Sequence, residues 1–347
     1  MWRFVLLFLI IIVAYVKSRF WLRQPVRHCF NFFQPNGLQT FQAPKHVNHA
    51  RVQSFETERC DNKNQIESAA EYVQTQHNDV YFPDLRHILA YFHGSFISTY
   101  KAETIKGCIV SRPIRLKVDQ QYFNAHYQEV MASETDHISR ELITTHENNR
   151  RKRFQNSPSV FATDSPVPFA LPTTRYEIRW IQTKLFEKSQ TNFRMVKASE
   201  KNLDEIIHYW KESRFTFQVV PTIHQLVEWL KTNIATVYYV FSQETIVAMF
   251  FFKNTLMVDH NKSIIDCCGI IKSRISREKE KQTEKEIEKV FGNLMCKIKK
   301  VNSIVRIHMN SHAFHWLPPC YRKTQNYVYL YGYLGPVNVP PDSCFVF

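Results

Sequence analysis

The sequence is poor in glycine, with only 7 among its 347 residues, against a usual share of about 7%. It contains neither a GxGxxG run nor a GxxxxGK[ST] run. Both runs are loops whose backbone N–H groups hold phosphates. If the chain binds a phosphate-bearing ligand, other groups must hold it.

CxxC pairs, which zinc sites and redox motifs use, are also missing. The eight cysteines are scattered, and the neighbours Cys267 and Cys268 would point to opposite faces of a strand. His308 and His312 are four residues apart, but no glutamate follows His308 as a zinc-protease motif requires. We assign His308 to a strand and predict no metal site. Scattered cysteines in a long chain indicate reduced thiols in a cytosolic domain.

Acidic residues are too few to balance the basic ones, and the formal net charge is +14. Such an excess is typical of nucleic-acid-binding proteins, but the sequence has no zinc finger, RNP-like strand or helix-turn-helix pattern. An anionic membrane surface or a polyphosphate ligand is the alternative that we favour. The basic cluster 146–153 is expected at the end of a helix, as a solvated segment that could steer such a ligand.

The N-terminus carries an uninterrupted apolar run from Phe4 to Val16. This run is shorter than the roughly 20 residues of a spanning helix, but snorkelling of Arg3 and Lys17 and the aromatics near Trp21 extend it. The segment 13–17 offers a poor signal-peptide cleavage site, so a signal peptide is the less favoured alternative. We therefore predict a transmembrane anchor over residues 1–23. Basic residues are more frequent after the run than before it, which predicts a single-pass protein with a cytosolic C-terminal domain.

Residues 24–75 are polar and show little periodicity. Three prolines interrupt them, at Pro25, Pro35 and Pro44. This composition predicts a linker or tether, disordered in part.

The body of the chain shows the same order of elements twice. In the first unit, a helix near residue 85 precedes strands over 95–101, 105–118 and 125–132, then a helix from Thr135 to about 148 and a strand over 159–163. In the second, helices capped by Ser199 and Thr222 precede a hairpin over 235–252, a strand over 263–271, a helix over 275–300 and a strand over 303–309. A last strand is expected over 327–333.

Helix, hairpin, strand, helix and strand is the order of the GNAT acyltransferase fold. The repetition predicts a mixed α/β protein made of two fused GNAT-like units after the N-terminal transmembrane helix. We expect an N-terminal GNAT-like half over residues 76–190 and a C-terminal GNAT-like half over residues 191–347.

Three segments make the resemblance specific. Residues 161–180 (FATDSPVPFALPTTRYEIRW) match one family stretch without gaps and share its landmarks Pro168, Thr173, Arg175, Tyr176 and Arg179. Residues 193–230 are similar to the start of that family's second half, and residues 327–331 to one of its strands. On these segments the chain resembles the glycylpeptide N-myristoyltransferases, as a divergent member.

The resemblance implies transfer of a fatty acyl group from acyl-CoA, as co-substrate, to the N-terminal glycine amine of a peptide. In the family the base is the C-terminal carboxylate, which falls on Phe347. Backbone N–H groups at a strand bulge hold the oxyanion, and alignment assigns this role to His126 and Tyr127. Thr163 and Tyr329 fall on substrate-binding positions. No permanently bound cofactor or metal is implied.

The family holds CoA phosphates at a helix N-terminus, and the matching positions are Thr135, Asp136, His137, Ile138, Ser139 and Arg140. Here the chain departs from the family, because Glu134 and Asp136 stand where the family has cations. Two hypotheses follow. The chain is an N-myristoyltransferase-like enzyme, or it is a catalytically inactive, membrane-tethered relative that binds lipid or peptide.

Overall fold

The computed structural model describes most of the chain from residue 90 onward and shorter segments before it. The described ranges are 24–31, 33–38, 55–59, 63–76, 90–92, 94–154, 157–259, 262–273, 277–298, 304–310 and 316–347, with isolated residues before 24.

Five described α-helices surround the sheet. They are α1 (Lys63–Gln76), α2 (Asp136–Arg153), α3 (Leu203–Glu212), α4 (Ile223–Lys231) and α5 (Arg277–Ile298). The described strands are β1 (Gly37–Leu38), β2 (Phe55–Arg59), β3 (Phe96–Lys101), β4 (Ile105–Val118), β5 (Gln121–Ser133), β6 (Ser159–Thr163), β7 (Thr174–Gln182), β8 (Arg194–Lys197), β9 (Phe217–Pro221), β10 (Ala235–Ser242), β11 (Thr245–Asp259), β12 (Lys262–Lys272), β13 (Ile304–His308), β14 (Arg322–Tyr331), β15 (Tyr333–Leu334) and β16 (Cys344–Val346).

Local sequence signals fix most of these bounds. Thr135 caps α2 by accepting a hydrogen bond from the Ile138 N–H, and Thr222 caps α4 in the same way from Gln225. Ser199 caps a short 3₁₀ turn that leads into α3. Such caps satisfy N–H groups that have no partner inside the helix. The predicted helix near residue 85 lies mostly outside the described residues.

The predicted repeat is present. In the first half β3, β4 and β5 are antiparallel neighbours, and β6 returns after α2 to pair in parallel with β5. In the second half β10, β11 and β12 are antiparallel, and β13 returns after α5 to pair in parallel with β12. The mixed α/β class with two GNAT-like units is therefore observed.

The two halves share one sheet because strands cross between them. β14 lies between β6 and β7, and β7 also pairs with β13. β9 comes from the C-terminal half but pairs with β4, and β16 pairs in parallel with β9. The element order of a single GNAT-like unit does not predict these pairings between the halves, because they join residues that are far apart in sequence.

The described parts of the predicted tether pack against the body. Ile66, Ala70 and Val73 of α1 are buried in the same core cluster as Trp229 and Phe345. The prediction of a linker over 24–75 is therefore wrong for residues 63–75, which form most of α1. Their apolar residues follow a helical spacing, but the many polar residues between them made the segment resemble a linker.

Residues 24–28 are also part of the body. The Tyr331 hydroxyl donates to Gln24, and Val26 and His28 form bridges to β14 and to Ala170. Most of the predicted anchor 1–23 lies outside the described residues. Within the part of the chain that the structure describes, no helix has both the length and the apolar character needed to cross a membrane.

The basic cluster 146–153 differs from its prediction as a solvated segment. Arg150 and Arg151 are buried, at 0% and 2% exposure. Arg150 donates to Glu147, to the Ser157 hydroxyl and to the Pro158 carbonyl. Its guanidinium therefore joins α2 to β6, because a buried cation needs partners that replace water. Arg150 is committed to the fold rather than available to a phosphate.

Candidate active site

A cavity of about 420 Å³ lies where the two halves face each other, a size in the range of small-molecule sites. Its walls come from β4 and β5 on one side, from β11, β12 and β13 on the other, and from the C-terminal strand. The polar and aromatic residues that line it include Tyr91, Arg112, Tyr127, Glu129, Tyr176, Lys253, Asp266, Arg306, His308, Asn326 and Phe347.

Glu129 is the centre of the first polar group in this cavity. Oε1 accepts from the Tyr91 hydroxyl at 2.6 Å and contacts Lys253 Nζ, and Oε2 accepts from Arg112 Nε at 2.7 Å. Although burial raises the pKa of the Glu129 carboxyl, the charges of Lys253 and Arg112 outweigh it and lower that pKa to about 2. Glu129 is thus held ionised.

The cations beside Glu129 are packed among aromatic rings. The Arg112 guanidinium lies 5.0 Å from the ring centroids of Tyr127 and Trp229, and Lys253 Nζ lies 4.9 Å from that of Trp229. Burial, together with repulsion from Arg112, lowers the pKa of Lys253 even though Glu129 favours its charge. Ring faces partly replace the lost hydration of these groups.

A second polar group lies on β12 and β13. Arg306 donates in a two-pronged fork to Asp266, at 2.5 Å from Nε to Oδ1 and 2.6 Å from Nη2 to Oδ2. The charge of Arg306 lowers the pKa of the Asp266 carboxyl against the effect of burial. His308 Nε2 lies 3.5 Å from Asp266 Oδ2, and its ring tilts against that of Tyr176.

Phe347 brings the end of the chain to the cavity. Its side chain is 3% exposed and packs against Trp229 and Phe251. Its N–H donates to the Val219 carbonyl at 2.8 Å, and its terminal carbonyl oxygen accepts from Arg112 Nη2 at 2.7 Å. The residue chosen from the sequence as the base is therefore buried, fixed and beside a cation.

His126 and Tyr127, the predicted oxyanion donors, lie in a regular part of β5, opposite Pro113 and Arg112. The His126 N–H donates to the Pro158 carbonyl at 3.2 Å, whereas the Tyr127 side chain lines the cavity. The irregularity in β5 falls later. Val130 pairs with Val110 and Gln128 with Ser111, so Glu129 is the extra residue of a bulge. The bulge that the alignment placed at His126 and Tyr127 thus lies at Glu129, two residues after Tyr127.

The predicted CoA-binding residues lie together at the N-terminus of α2. Thr135 is its N-cap, and the Ser139 hydroxyl lies 2.5 Å from that of Ser133. Arg140 lies over the Phe20 ring at 6.0 Å. Glu134 is paired with Lys106 at 2.9 Å. His137 and Asp136 are exposed, while Ile138 is half-buried.

Thr163 and Tyr329 face away from the cavity. The Thr163 hydroxyl donates to the Ser165 carbonyl, and the buried Tyr329 hydroxyl accepts from the Val167 N–H at 2.9 Å. Tyr329 also stacks on Phe161. The structure gives both side chains partners in the loop after β6, and it does not bring them to Phe347.

Sequence reasoning missed most of the cavity's polar residues, although a signal for them exists. Arg112, Lys253, Asp266 and Arg306 interrupt strands with many buried neighbours, whereas Glu129 lies in a half-buried strand and carries no such signal. A charge inside an otherwise apolar strand is costly unless it is paired. Such interruptions therefore mark positions where several strands meet at one site.

Comparison with solved structures identifies the fold. A crystal structure of Saccharomyces cerevisiae N-myristoyltransferase with bound myristoyl-CoA superposes with a TM-score of 0.70 at 12% identity, covering 94% of this chain and 91% of that one. A second such structure gives 0.69 at 11% identity, covering 95% and 98%. The chain has the N-myristoyltransferase fold.

A GCN5-related N-acetyltransferase from Kribbella flavida is a more distant match, with a TM-score of 0.50, 7% identity and coverage of 80% of this chain and 71% of that one. No family model and no curated protein matches the sequence. The resemblance predicted from residues 161–180 and 193–230 is confirmed for the fold, and the low identity makes the chain a divergent representative of it. The cavity lies where the halves of this N-myristoyltransferase fold meet.

Proposed function

We propose that the protein is an N-acyltransferase that moves a fatty acyl group from acyl-CoA to the N-terminal glycine amine of a peptide. The observation that carries this proposal is the position of Phe347. Its terminal group is buried at a cavity between two GNAT-like halves, where Arg112 orients it. Buried tails are uncommon, because chain ends are usually solvated.

The proposed reaction needs a free amine. The acceptor ammonium gives a proton to the Phe347 carboxylate, and the amine nitrogen then attacks the thioester carbonyl carbon. A C–N bond forms, the C–S bond breaks, and the CoA thiolate takes up a proton as it leaves. Backbone N–H groups of β5 would stabilise the oxyanion. We propose His126 and Tyr127 for this role, and His126 would first have to release its bond to the Pro158 carbonyl.

For the donor, we propose the N-terminus of α2 as the site of the CoA phosphates. Thr135, Ser139 and Arg140 supply hydroxyl groups and a cation, and the first-turn N–H groups of Asp136, His137 and Ile138 face an anion at such a terminus. Long-chain acyl-CoA is the expected co-substrate because the superposed yeast enzyme holds myristoyl-CoA. We do not extend the peptide site to Thr163 and Tyr329, because their hydroxyls bond to the loop after β6.

Extending the tail tests the base directly. One glycine added after Phe347 moves the carboxylate by about 3.5 Å. We expect this variant to lose transfer to a Gly-initiated peptide, measured by mass spectrometry, while acyl-CoA still raises its melting temperature. The control Phe347→Leu keeps an apolar residue and the carboxylate in place and should keep transfer. Equal activity of the extended and the natural chains would exclude the carboxylate as base.

An inactive, acyl-CoA-free binding protein is the second candidate, and Glu134 and Asp136 favour it. Each anion near a pyrophosphate would cost on the order of 1 kcal/mol, and Lys106 offsets only one of them. Arg150 is bound to Glu147 and cannot replace the missing cations. To separate the enzyme from the inactive protein, CoA affinity is measured by calorimetry for the natural chain and for the double variant Glu134→Ser, Asp136→Lys. Affinity that arises only in the double variant would support the inactive protein.

We also propose that the apolar run from Phe4 to Val16 anchors the protein in a membrane, with the body in the cytosol. The basic residues after the run support this orientation. Protease added to sealed vesicles with the cytosolic side out should digest the body. Protection of the body would reverse the proposed orientation, and recovery of the protein in the supernatant would exclude the anchor.

A further inference from the structure

The carboxylates that line the cavity already have donors. Glu129 accepts on both oxygens, from Tyr91 and Lys253 on one and from Arg112 on the other. Asp266 accepts on both oxygens from Arg306. A ligand's ammonium would therefore compete with existing charge-assisted hydrogen bonds, which are strong.

Donors in the same cavity are less well satisfied. Arg112 is 2% exposed, and its Nη1 is buried without a hydrogen-bond partner among the described residues. The His308 ring, which carries at least one N–H donor, also makes no hydrogen bond of normal length there, because its Nε2 lies 3.5 Å from Asp266 Oδ2. Buried donors without partners are rare in folded proteins.

From this imbalance we propose that the cavity binds a carboxylate carried by the acyl acceptor, close to its reacting amine. The site would use the free edge of Arg112 together with Lys253 and His308. This proposal rests on the proposed function, and it narrows the acceptors to peptides with an acidic residue directly after the N-terminal glycine.

Arg112 would set the distance between the Phe347 carboxylate and the acceptor's carboxylate, because it would bind both. Its Nε is bonded to Glu129 and its Nη2 to the terminal oxygen of Phe347. Only Nη1 remains for a ligand, so one guanidinium holds the proposed base and would also hold the acceptor's acid. A neighbouring carboxylate would thereby place the acceptor amine beside Phe347.

The phosphates of CoA are the other source of an anion, but the fold argues against them. The proposed phosphate site at the N-terminus of α2 is a different part of the sheet edge from the cavity, and the residues of that terminus are not among the cavity's lining residues. The cavity's cations Arg112, Lys253 and Arg306 are matched by Glu129, Asp266 and the Phe347 carboxylate. An acceptor whose carboxylate is balanced by its own ammonium therefore suits the cavity better than a phosphate dianion does.

The experiment compares two peptides that differ in one group. Both begin with glycine and share all later residues, but the second residue is aspartate in one and asparagine in the other. We expect the intact chain to bind the aspartate peptide at least tenfold more tightly by calorimetry, because the amide carries no charge and has an NH₂ donor in place of the second acceptor oxygen. Equal affinity, or no binding of either peptide at millimolar concentration, would overturn the proposal.

Variants locate the effect. His308→Phe keeps a ring against Tyr176 but removes two ring nitrogens, and it should reduce the aspartate preference at least threefold. His224→Phe, at an exposed position of α4, is the matched control and should leave the preference unchanged. If His308→Phe keeps the preference in a folded protein, or instead weakens binding of CoA alone, the assignment to an acceptor carboxylate is wrong.

Acyl transfer is measured separately with the same two peptides. Selective binding of the aspartate peptide without any transfer would leave the carboxylate site standing and overturn the enzyme proposal. Transfer to both peptides with equal kcat/KM would support the enzyme and overturn the carboxylate site.

Discussion

At the scale of single residues, Glu129 holds together groups from separate segments. Its carboxylate contacts Tyr91, Arg112 and Lys253, and its side chain is 8% exposed. Glu129→Gln would leave two buried cations without a counter-charge. We expect it to lower the free energy of unfolding by about 3 kcal/mol, measured by urea denaturation.

The control for Glu129 is Glu228→Gln on the surface of α4. Glu228 pairs with Lys231, and both side chains are substantially exposed, at 32% and 48%. Such pairs contribute about 0–1 kcal/mol. Equal losses in the two variants would show that the buried group does not stabilise the fold through its charge.

Two buried histidines predict sensitivity to mild acid. Burial, with the nearby charge of Arg150, lowers the pKa of both His126 and His146 to about 3. The unfolded chain takes up these protons near pH 6.5, whereas the folded chain does so only near pH 3. Stability is therefore full above pH 6.5, and each histidine removes about 1.4 kcal/mol per pH unit below it.

His146→Asn tests this pH dependence. His146 lies between the hydroxyls of Ser98 and Ser111, each at 2.8 Å, and asparagine can bond one of them without titrating. We expect the variant to be less stable at pH 7 but to lose stability less steeply between pH 6.5 and pH 5. Parallel curves for the variant and the natural chain would contradict the prediction.

At the scale of elements, the packing of α2 on β4 depends on Gly107. A Cβ added there would lie 2.6 Å from Leu142 Cδ1 and 2.7 Å from Ile138 Cγ2. Leu142 is fully buried and has little room to move. Gly107→Ala should cost about 1–3 kcal/mol, measured as a fall in thermal stability. Gly37→Ala, where nothing lies within 4 Å, should cost far less.

The N-cap of α2 can be tested apart from its proposed ligand. Thr135→Ala removes the acceptor of the Ile138 N–H and should cost about 1 kcal/mol. Thr135→Ser keeps a hydroxyl at the same position and should recover most of that loss. A full loss in both variants would assign the effect to the threonine methyl group.

Elements governed by local signals could be predicted with accurate bounds. The strands Ile105–Val118 and Ser159–Thr163 were expected at these residues, as was the Thr135 start of α2. β9 and β16 were not predicted, because their short runs gain stability only from each other and from β4. Arg150 was expected in water, because sequence alone does not show that Glu147 and Ser157 surround it.

At the scale of the whole molecule, β16 connects β9, which pairs with β4 of the first half, to β11 of the second half. It pairs with β9, whereas the Phe345 ring packs on Phe251 at 5.1 Å. Phe345→Ala should cost about 3–5 kcal/mol and should destabilise both halves in one transition. Hydrogen exchange should accelerate in β4 and β11 together. Phe33→Ala, at 95% exposure, is the neutral control.

The general architecture followed from the repeated order of elements, but the candidate cavity did not. The repeat predicts two similar units, but it does not predict which of their strands and side chains contact each other. Strand exchange through β14 and β9 decides which charged residues face each other, and that exchange couples residues such as Arg112 and Phe347 across 235 positions. Phe347 was assigned only because the family resemblance carried its role.

The position of β16 also has a consequence for biosynthesis. This strand follows all of its partners in the chain, and Trp229 and Phe251 stay uncovered on its side until it docks. A chain growing on the ribosome can therefore complete its other strands while its central cavity is still open to water. The nascent protein should bind chaperones until β16 leaves the ribosome. Translation that stalls before Cys344 should leave a nearly full-length chain whose apolar residues Trp229 and Phe251 are still exposed on that side.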